Sequence, residues 1–415
     1  MPELRYGADS SVRLEFAAGI SADVCGTPRG RPLDNPAAAV ADVLEEPLDY
    51  PPFRLTATPG DRVVVTLGRG VPQSAQITAA VIRSLLAAGV EPDGITILRT
   101  QADVTGGVED PRRLLGEPLK ERISTVVHDP HDRGGLAYLA ATESGEPIML
   151  NRLLTDADVV LPIGCMQSEA ATGYFGIHTP LFPTFSDQKA QARFRRLDAL
   201  GTNGPCKREL KSEVEHAAWL LGVNFTIQLV PAAGEGILHV VAGETAAVKR
   251  RSRQLYDDAW SWSLARRASL VVAAIEGGAV QQTWENFGRT LEAACALVED
   301  DGAIAVCCDL AAAPGPGVQH LAGARSRRAV LEQIRKHRPA DTLPAAQLAQ
   351  ALDRDKVYLL SRLDPALVEE LDMVPMANGD ELVRLTRQHN SCILLNNAPY
   401  AQVTIEEGMK AGDEG

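Results

Sequence analysis

Short apolar runs, each ending in a glycine or a turn and separated by stretches of helical period, constrain this chain more than any other feature. "RVVVTL" (62–67), "GITILRT" (94–100), "STVVHD" (124–129) and "ADVVLPIG" (157–164) are unbroken rather than alternating. A strand of that kind is buried on both faces, which a parallel sheet covered by helices provides. "AQITAAVIRSLLAAG" (75–89) reads as the first covering helix, with Ser74 expected to cap it and Gly89 to end it. "QADVTGG" (101–107) is expected as a loop, and "DPRRLLGEPLKERI" (110–123) as a helical stretch interrupted by Pro118.

The alternation continues through the amphipathic helix "KRELKSEVEHAAWLLG" (207–222), strands "NFTIQLVP" (224–231) and "ILHVVAG" (237–243), and the helix 245–260. A second series then sets strands "ASLVVAAI", "GAIAVCC", "KVYLLS" and "SCILLNN" against helices "TWENFGRTLEAACALV", "RRAVLEQIRK" and "GDELVRLTRQH". The composition resets near residue 265. The expected fold class is α/β, with two α/β domains built on mainly parallel sheets and a cleft between them. The first is placed at 1–264 and the smaller second at 265–399, with the tail 400–415 free to return to the first. A chain of 415 residues needs such a division, because single cores rarely grow past ~250–300 residues. Residues 1–60 are proline-rich and weakly periodic, with one extended segment, "VRLEFAAGISADVCG" (12–26).

A formal net charge of −13 leaves no broad electropositive surface, so neither nucleic acid nor anionic lipid is an expected partner. The basic "KRRSR" (249–253) reads as the solvated face of a helix. No apolar stretch reaches the ~18–20 residues that span a bilayer, and the N-terminus has no apolar targeting core. Seven cysteines occur without a CxxC, and Cys295, Cys307, Cys308 and Cys392 lie in apolar runs. That usage points to buried, reduced thiols and a cytoplasmic location.

Chemistry-bearing residues cluster after the predicted strands. "GRGVPQS" (68–74) offers helix N-terminal amides and Arg69 to an anion. "HDPHD" (128–132) straddles a proline turn and reads as a satisfied polar loop rather than a metal site. "GGAVQQTWENFGR" (277–289) places Asn286 and Arg289 on one helix face, where a guanidinium can fork onto a carboxylate. The loop "SEAATGYFGIHTPLFP" (168–183) combines Gly173 and Gly176 with Glu169, His178 and Thr179. "PGPG" (314–317) reads as a flexible loop that either borders a site or merely connects elements. There is no GxSxG, HExxH, phosphate-binding loop or dinucleotide fingerprint to name a reaction.

Taken in order, "VVVTLGRGVP", "ADVVLPIGCMQSEAATGYFGIHTPLFP", "LKSEVEHAAWLLGVNFTIQLV", "ILHVVAGE" and "IEGGAVQQTWENFGRTLEAA" resemble the lactate racemase family. The likeness runs from "LDNP" (33–36) to "AQVTIE" (401–406). It implies an N-terminal α/β domain that carries a covalently attached nickel-pincer nucleotide and a smaller C-terminal domain that closes over it. The implied reaction takes a hydride from C2 of a hydroxy acid and returns it to the other face. Two histidines assist as acid and base, while a lysine and an arginine steady the substrate.

This chain departs from that pattern at its chemical positions. Of the family's Asp-His-Thr-Arg-Pro only the arginine survives, as Arg69. Asp103 stands where a histidine follows the second strand, and Glu169 where a histidine follows Ser168. The Gly-Gly-Arg-Lys that attaches the cofactor becomes Gly176, Ile177, His178 and Thr179, and the nickel-binding histidine falls near Arg195. Asn286 and Arg289 replace a glutamine and a lysine that face substrate. Threonine has no amine for the thioamide link, so a covalent nickel-pincer nucleotide and a metal ligand set are not expected. Gly173, Gly176 and Thr179 remain as cofactor-side positions.

Two functions follow. One is a racemase- or epimerase-like isomerase for a small 2-hydroxy or sugar acid. In it Arg69, Asn286 and Arg289 bind substrate, and Asp103, Glu169 and His178 carry protons, the two carboxyls with raised pKa if buried together. The other is a non-catalytic relative that binds a small anion or serves assembly or regulation.

Overall fold

The computed structural model describes residues 2–16, 20–142, 144–169, 171–200 and 204–406. It divides into two compact units, Gly30–Tyr256 and the combination of Met1–Arg29 with Asp257–Gly415.

In the Gly30–Tyr256 unit a six-stranded sheet runs in the order Ile237–Glu244, Phe225–Pro231, Val159–Cys165, Val63–Leu67, Ile95–Thr100, Ser124–His128. The first pair is antiparallel and every other pair parallel. Val63–Leu67 is buried throughout, as its unbroken run requires. Its period of two sends Val63 and Val65 to one core with Ile77, Val81 and Leu85 of the helix Ser74–Ala87. Val64 goes to the opposite core, where Phe175, Leu181 and Phe182 meet Leu210, Val214 and Ala217 of the helix Pro205–Leu220. The glycine-rich segment 168–183 therefore supplies part of a hydrophobic core. Phe175 and Phe182 set their rings edge-on to Phe194, with centroids 4.9 and 5.3 Å apart.

Three local expectations change. Ser74 is the first helical residue, and the cap position is Gln73, at φ +49° and with no side-chain cap. Gly89, at φ +93°, does end that helix. Residues 101–107 open with a short helix, Gln101–Thr105, rather than a simple loop. A hairpin of Leu136–Ala141 and Pro147–Asn151 was not foreseen; its alanines give neither a long apolar run nor a clean alternation.

In the other unit the sheet order is Val374–Pro375, Lys356–Leu360, Val298–Cys307, Ala268–Ala274, Ser391–Leu395, Ser21–Cys25, all parallel. Val271, Ala273, Val306 and Ile393 pack on Phe287, Leu291 and Leu348, while Leu270, Val272 and Leu394 pack on Leu382 and Leu385. The division thus differs from the contiguous 1–264 and 265–399. Of the extended segment 12–26, Ser21–Cys25 is an edge strand of this sheet while 17–19 lie outside the described residues, and the boundary falls at Tyr256/Asp257. The strand Gln402–Ile405 returns to pair with Ser261–Leu264 inside this same unit.

Cys307, Cys308 and Cys392 are buried, and burial pushes the Cys308 and Cys392 thiols up to about 12, while Cys295 is only half-buried. Among the described residues no helix is long and apolar enough to cross a membrane.

Candidate functional site

In the Gly30–Tyr256 unit the chain builds outward in both directions from the strand Val63–Leu67. The crevice at the carboxyl ends of Val63–Leu67 and Val159–Cys165 is therefore the topological switch point, where sheets of this kind present ligands. The loops there touch. Gly68 N donates to Ile163 O at 2.8 Å, and a Cβ on Gly68 would come within 2.9 Å of Pro180 Cγ. Arg69 follows, exposed.

His178 lies in this loop and is 6 % exposed, with no hydrogen-bond partner for Nδ1. Burial lowers its pKa to about 4; Glu215 opposes the shift and Lys249 adds to it. The imidazole is neutral at pH 7. Thr179 is locked into the backbone: its Oγ1 donates to Gly176 O at 2.7 Å and accepts from Phe175 N at 3.1 Å. Gly173 and Gly176 take φ of +78° and +103°, the left-handed region that side chains avoid. From the next strand Gln228 Nε2 donates to Ile177 O at 3.1 Å. That approach exists because residue 164 is glycine, since a Cβ there would meet Gln228 Nε2 at 2.5 Å. Gly164→Ala should therefore destabilise the chain by about 1–3 kcal/mol through overpacking. Urea unfolding measures this, and an unchanged midpoint would contradict the close approach.

Glu169 forms ion pairs with Lys211 and, at 3.3 Å, with Arg253. Burial acts to raise its pKa, but the Lys211 hydrogen bond and the charges of Lys211, Arg253 and Lys207 outweigh it and hold the carboxyl below its ordinary value. The raised pKa expected of Glu169 is thus corrected: cations outnumber the desolvation. Of those cations Lys207 and Lys211 stand at i and i+4 on the helix Pro205–Leu220, with the acidic Glu215 at i+8, and Arg253 comes from the helix Thr245–Trp260. Lys207 is itself buried, its Nζ donating to Ala171 O at 3.2 Å, and Glu215 pairs with Lys249. The reading of 249–253 as a solvated face holds for Lys249, Arg250 and Arg251 but not for Ser252, which is buried, or for Arg253, which reaches Glu169. Lys207, Lys211 and Arg253 were missed; the i, i+4 spacing of the two lysines marks a shared helix face but not its partner Glu169.

Asp103 is buried for a structural reason. Its Oδ2 accepts from Thr100 N at 3.0 Å and Thr100 Oγ1 at 2.6 Å, closing a reciprocal cap on Gln101–Thr105. "HDPHD" is the satisfied polar loop expected. His128 Nε2 faces Ser186 O at 2.8 Å and Nδ1 faces Asn151 Nδ2 at 3.1 Å, while Asp129 and Asp132 accept backbone amides. Among the described residues no group of three or more His, Cys, Asp or Glu could hold a metal ion. The residues do not fit a covalently attached nucleotide either: position 179 offers a hydroxyl already engaged with the backbone.

In the other unit the switch point lies between Ala268–Ala274 and Ser391–Leu395, and residues 275–283 and 396–401 leave the sheet there. Thr283 caps the helix Trp284–Cys295 by accepting from Asn286 N. Gln282 Nε2 donates to Ile275 O and Gly277 O, and its Oε1 accepts from Asp309 N. Asn286 Nδ2 donates to Gln281 O at 2.9 Å and to Gln281 Oε1 at 3.1 Å. Tyr400 Oη donates to that Oε1 at 3.0 Å. Arg289, its side chain 12 % exposed, donates to Asn286 Oδ1 at 3.3 Å and to Glu285 Oε1 at 2.9 Å. Asn286 and Arg289 do share one face, as their spacing indicated. Gln281 and Tyr400 were missed. The "PGPG" stretch is a loop only at Pro314 and Gly315; Pro316 and Gly317 open the short helix Pro316–Gln319, with Gly317 N and Val318 N bonded to Asp341.

The lactate racemase N-terminal domain family matches residues 6–194. By fold the chain is similar to the lactate racemase apoprotein from Thermoanaerobacterium thermosaccharolyticum, with a TM-score of 0.75 and 18 % identity, covering 97 % of this chain and 99 % of that one. It is also similar to a protein from Thermotoga maritima, with a TM-score of 0.65 and 14 % identity over 90 % of this chain and 99 % of that one. No curated protein matches the sequence.

Proposed function

We propose, from the match of residues 6–194 to the lactate racemase N-terminal domain family and from the shared fold, that the chain is a lactate-racemase-family protein that binds a small 2-hydroxy or sugar acid and acts on it as a racemase- or epimerase-like enzyme without a covalently attached nickel-pincer nucleotide. The anion-binding part of this reading rests on one unit. There Arg289, oriented by Asn286 and Glu285, presents a guanidinium to a carboxylate. The proton-handling part rests on the other. The observation that carries it is His178, a buried neutral imidazole whose Nδ1 has no hydrogen-bond partner, in the loop beside a switch point. A neutral imidazole can accept a proton, a task closed to Asp103, which is tied into its cap. Glu169, ionised and ion-paired, adds local field and orders the loop. Arg69, exposed on its own loop, is the second candidate for the ligand's charge.

Either enantiomer of lactate or glycerate followed by chiral chromatography, and gluconate followed for its C2 epimer, test the activity. Interconversion that disappears in His178→Gln supports the reading. Binding without interconversion favours the non-catalytic alternative, which the tying-up of Asp103 and Glu169 already supports.

The attachment chemistry gives a separate prediction. Protein made in a nickel-supplied host that synthesises the pincer nucleotide should show the intact mass of the unmodified sequence. An added pyridinium mononucleotide mass, or one nickel per chain, would overturn the reading of Thr179.

A further inference from the structure

Among the side-chain amides of Gln281, Gln282 and Asn286, every polar atom but one is held by a neighbour. Arginine carries only donors, so the Asn286 atom that faces Arg289 at 3.3 Å is the oxygen. The Asn286 amide nitrogen then points the other way, onto Gln281 O and Gln281 Oε1. Turning the Gln281 carboxamide over would set two NH₂ groups against each other, so the guanidinium fixes both amides in turn. Tyr400 Oη reaches the same Oε1, and its ring is packed beside Trp260 with centroids 5.4 Å apart. What remains is Gln281 Nε2, buried and without a hydrogen-bond partner, on a residue 1 % exposed. Native proteins seldom leave such a donor unmet, and this one lies at a switch point beside Arg289.

We propose that Gln281 Nε2 is a ligand-binding donor that takes an oxygen of the small acid. The inference deepens the function proposed above and rests on it. A neutral N–H donor suits a carboxylate or hydroxyl oxygen and rejects cations and donor-only groups. Tyr400 acts through Gln281 and is a positioning residue.

Gln281→Glu separates this role from a structural one. Glutamate keeps the oxygen that accepts from Tyr400 and Asn286 and replaces only the donating nitrogen, now with a charged acceptor. Calorimetric titration of the full chain with lactate, glycerate and gluconate should show affinity at least tenfold lower in Gln281→Glu, with its thermal midpoint within a few degrees of the parent. Partial recovery is expected as pH falls and the new carboxyl protonates. Unchanged affinity in Gln281→Glu, alongside loss of binding in Arg289→Ala, overturns the Gln281 assignment and leaves the functional reading standing. If none of the three acids binds the parent, both fall. Should Gln281→Glu fail to fold, a crystal structure of the parent soaked with the tightest acid decides. A ligand oxygen within hydrogen-bond distance of Nε2 supports the assignment, and its absence there overturns it.

Discussion

Between pH 6.5 and about 4 the chain should lose roughly 3 kcal/mol of folding stability through one buried imidazole, His178. In the unfolded chain a histidine titrates near 6.5, whereas burial drops His178 to about 4. As pH falls the unfolded state takes up this proton first. The contribution is therefore complete above pH 6.5, shrinks steadily towards pH 4 and is absent below. Urea unfolding at a series of pH values, on the parent and on His178→Leu, isolates the effect. The leucine variant should show a shallower acid slope over that window. Some slope remains, because burial also lowers His128. Identical slopes in the two proteins would refute the assignment, as would an NMR titration placing the His178 ring near 6.5. The same measurement bears on function, since a ring that stays neutral through the physiological range is available only as an acceptor or a neutral donor.

How far the sequence could be read follows from how local each determinant is. Val63–Leu67, Ile95–Thr100 and Val159–Cys165 were legible because burial on both faces leaves an unbroken apolar run, and glycine marks the turn after the first of them. Ser21–Cys25 was not placed in its sheet, because its partner Ser391–Leu395 lies at the far end of the chain. The helix Thr342–Arg354 was passed over, with Pro344 inside it. A proline in the first turn removes no needed donor, so it interrupts a pattern without breaking a helix. The site divides in the same way. Asn286 and Arg289 were visible as an i, i+3 pair on one helix. The Glu169–Lys211 pair spans 42 residues and the Tyr400–Gln281 bond 119, and no local period reports either. Asp103 shows the opposite case: the Thr100–Asp103 spacing of a reciprocal cap was present in the sequence, yet the residue was read for its charge.

Arg289→Ala should weaken binding of the best small acid by about 10- to 150-fold, the equivalent of roughly 1.5–3 kcal/mol for a charge-assisted hydrogen bond to a partly desolvated carboxylate. Two features push the effect towards the upper end. The side chain is largely buried, so water screens it little. Its removal also takes from Glu285 the guanidinium it accepts from at 2.9 Å, and with it part of the compensation of that carboxylate's charge. Arg289→Lys should recover only part of the loss. An ammonium is a point charge and cannot hold Asn286 Oδ1 and Glu285 Oε1 while presenting a planar fork to the ligand. Glu285→Gln supplies the control for charge: it keeps an acceptor for Arg289 but removes the competing carboxylate, so anion affinity should rise modestly. The three variants make a graded series, alanine weakest, lysine intermediate and Glu285→Gln above the parent. Calorimetric titration with lactate, glycerate and gluconate reads that order directly. An alanine variant that binds as tightly as the parent would mean that Arg289 serves only to pin Asn286 and Glu285 to their helix.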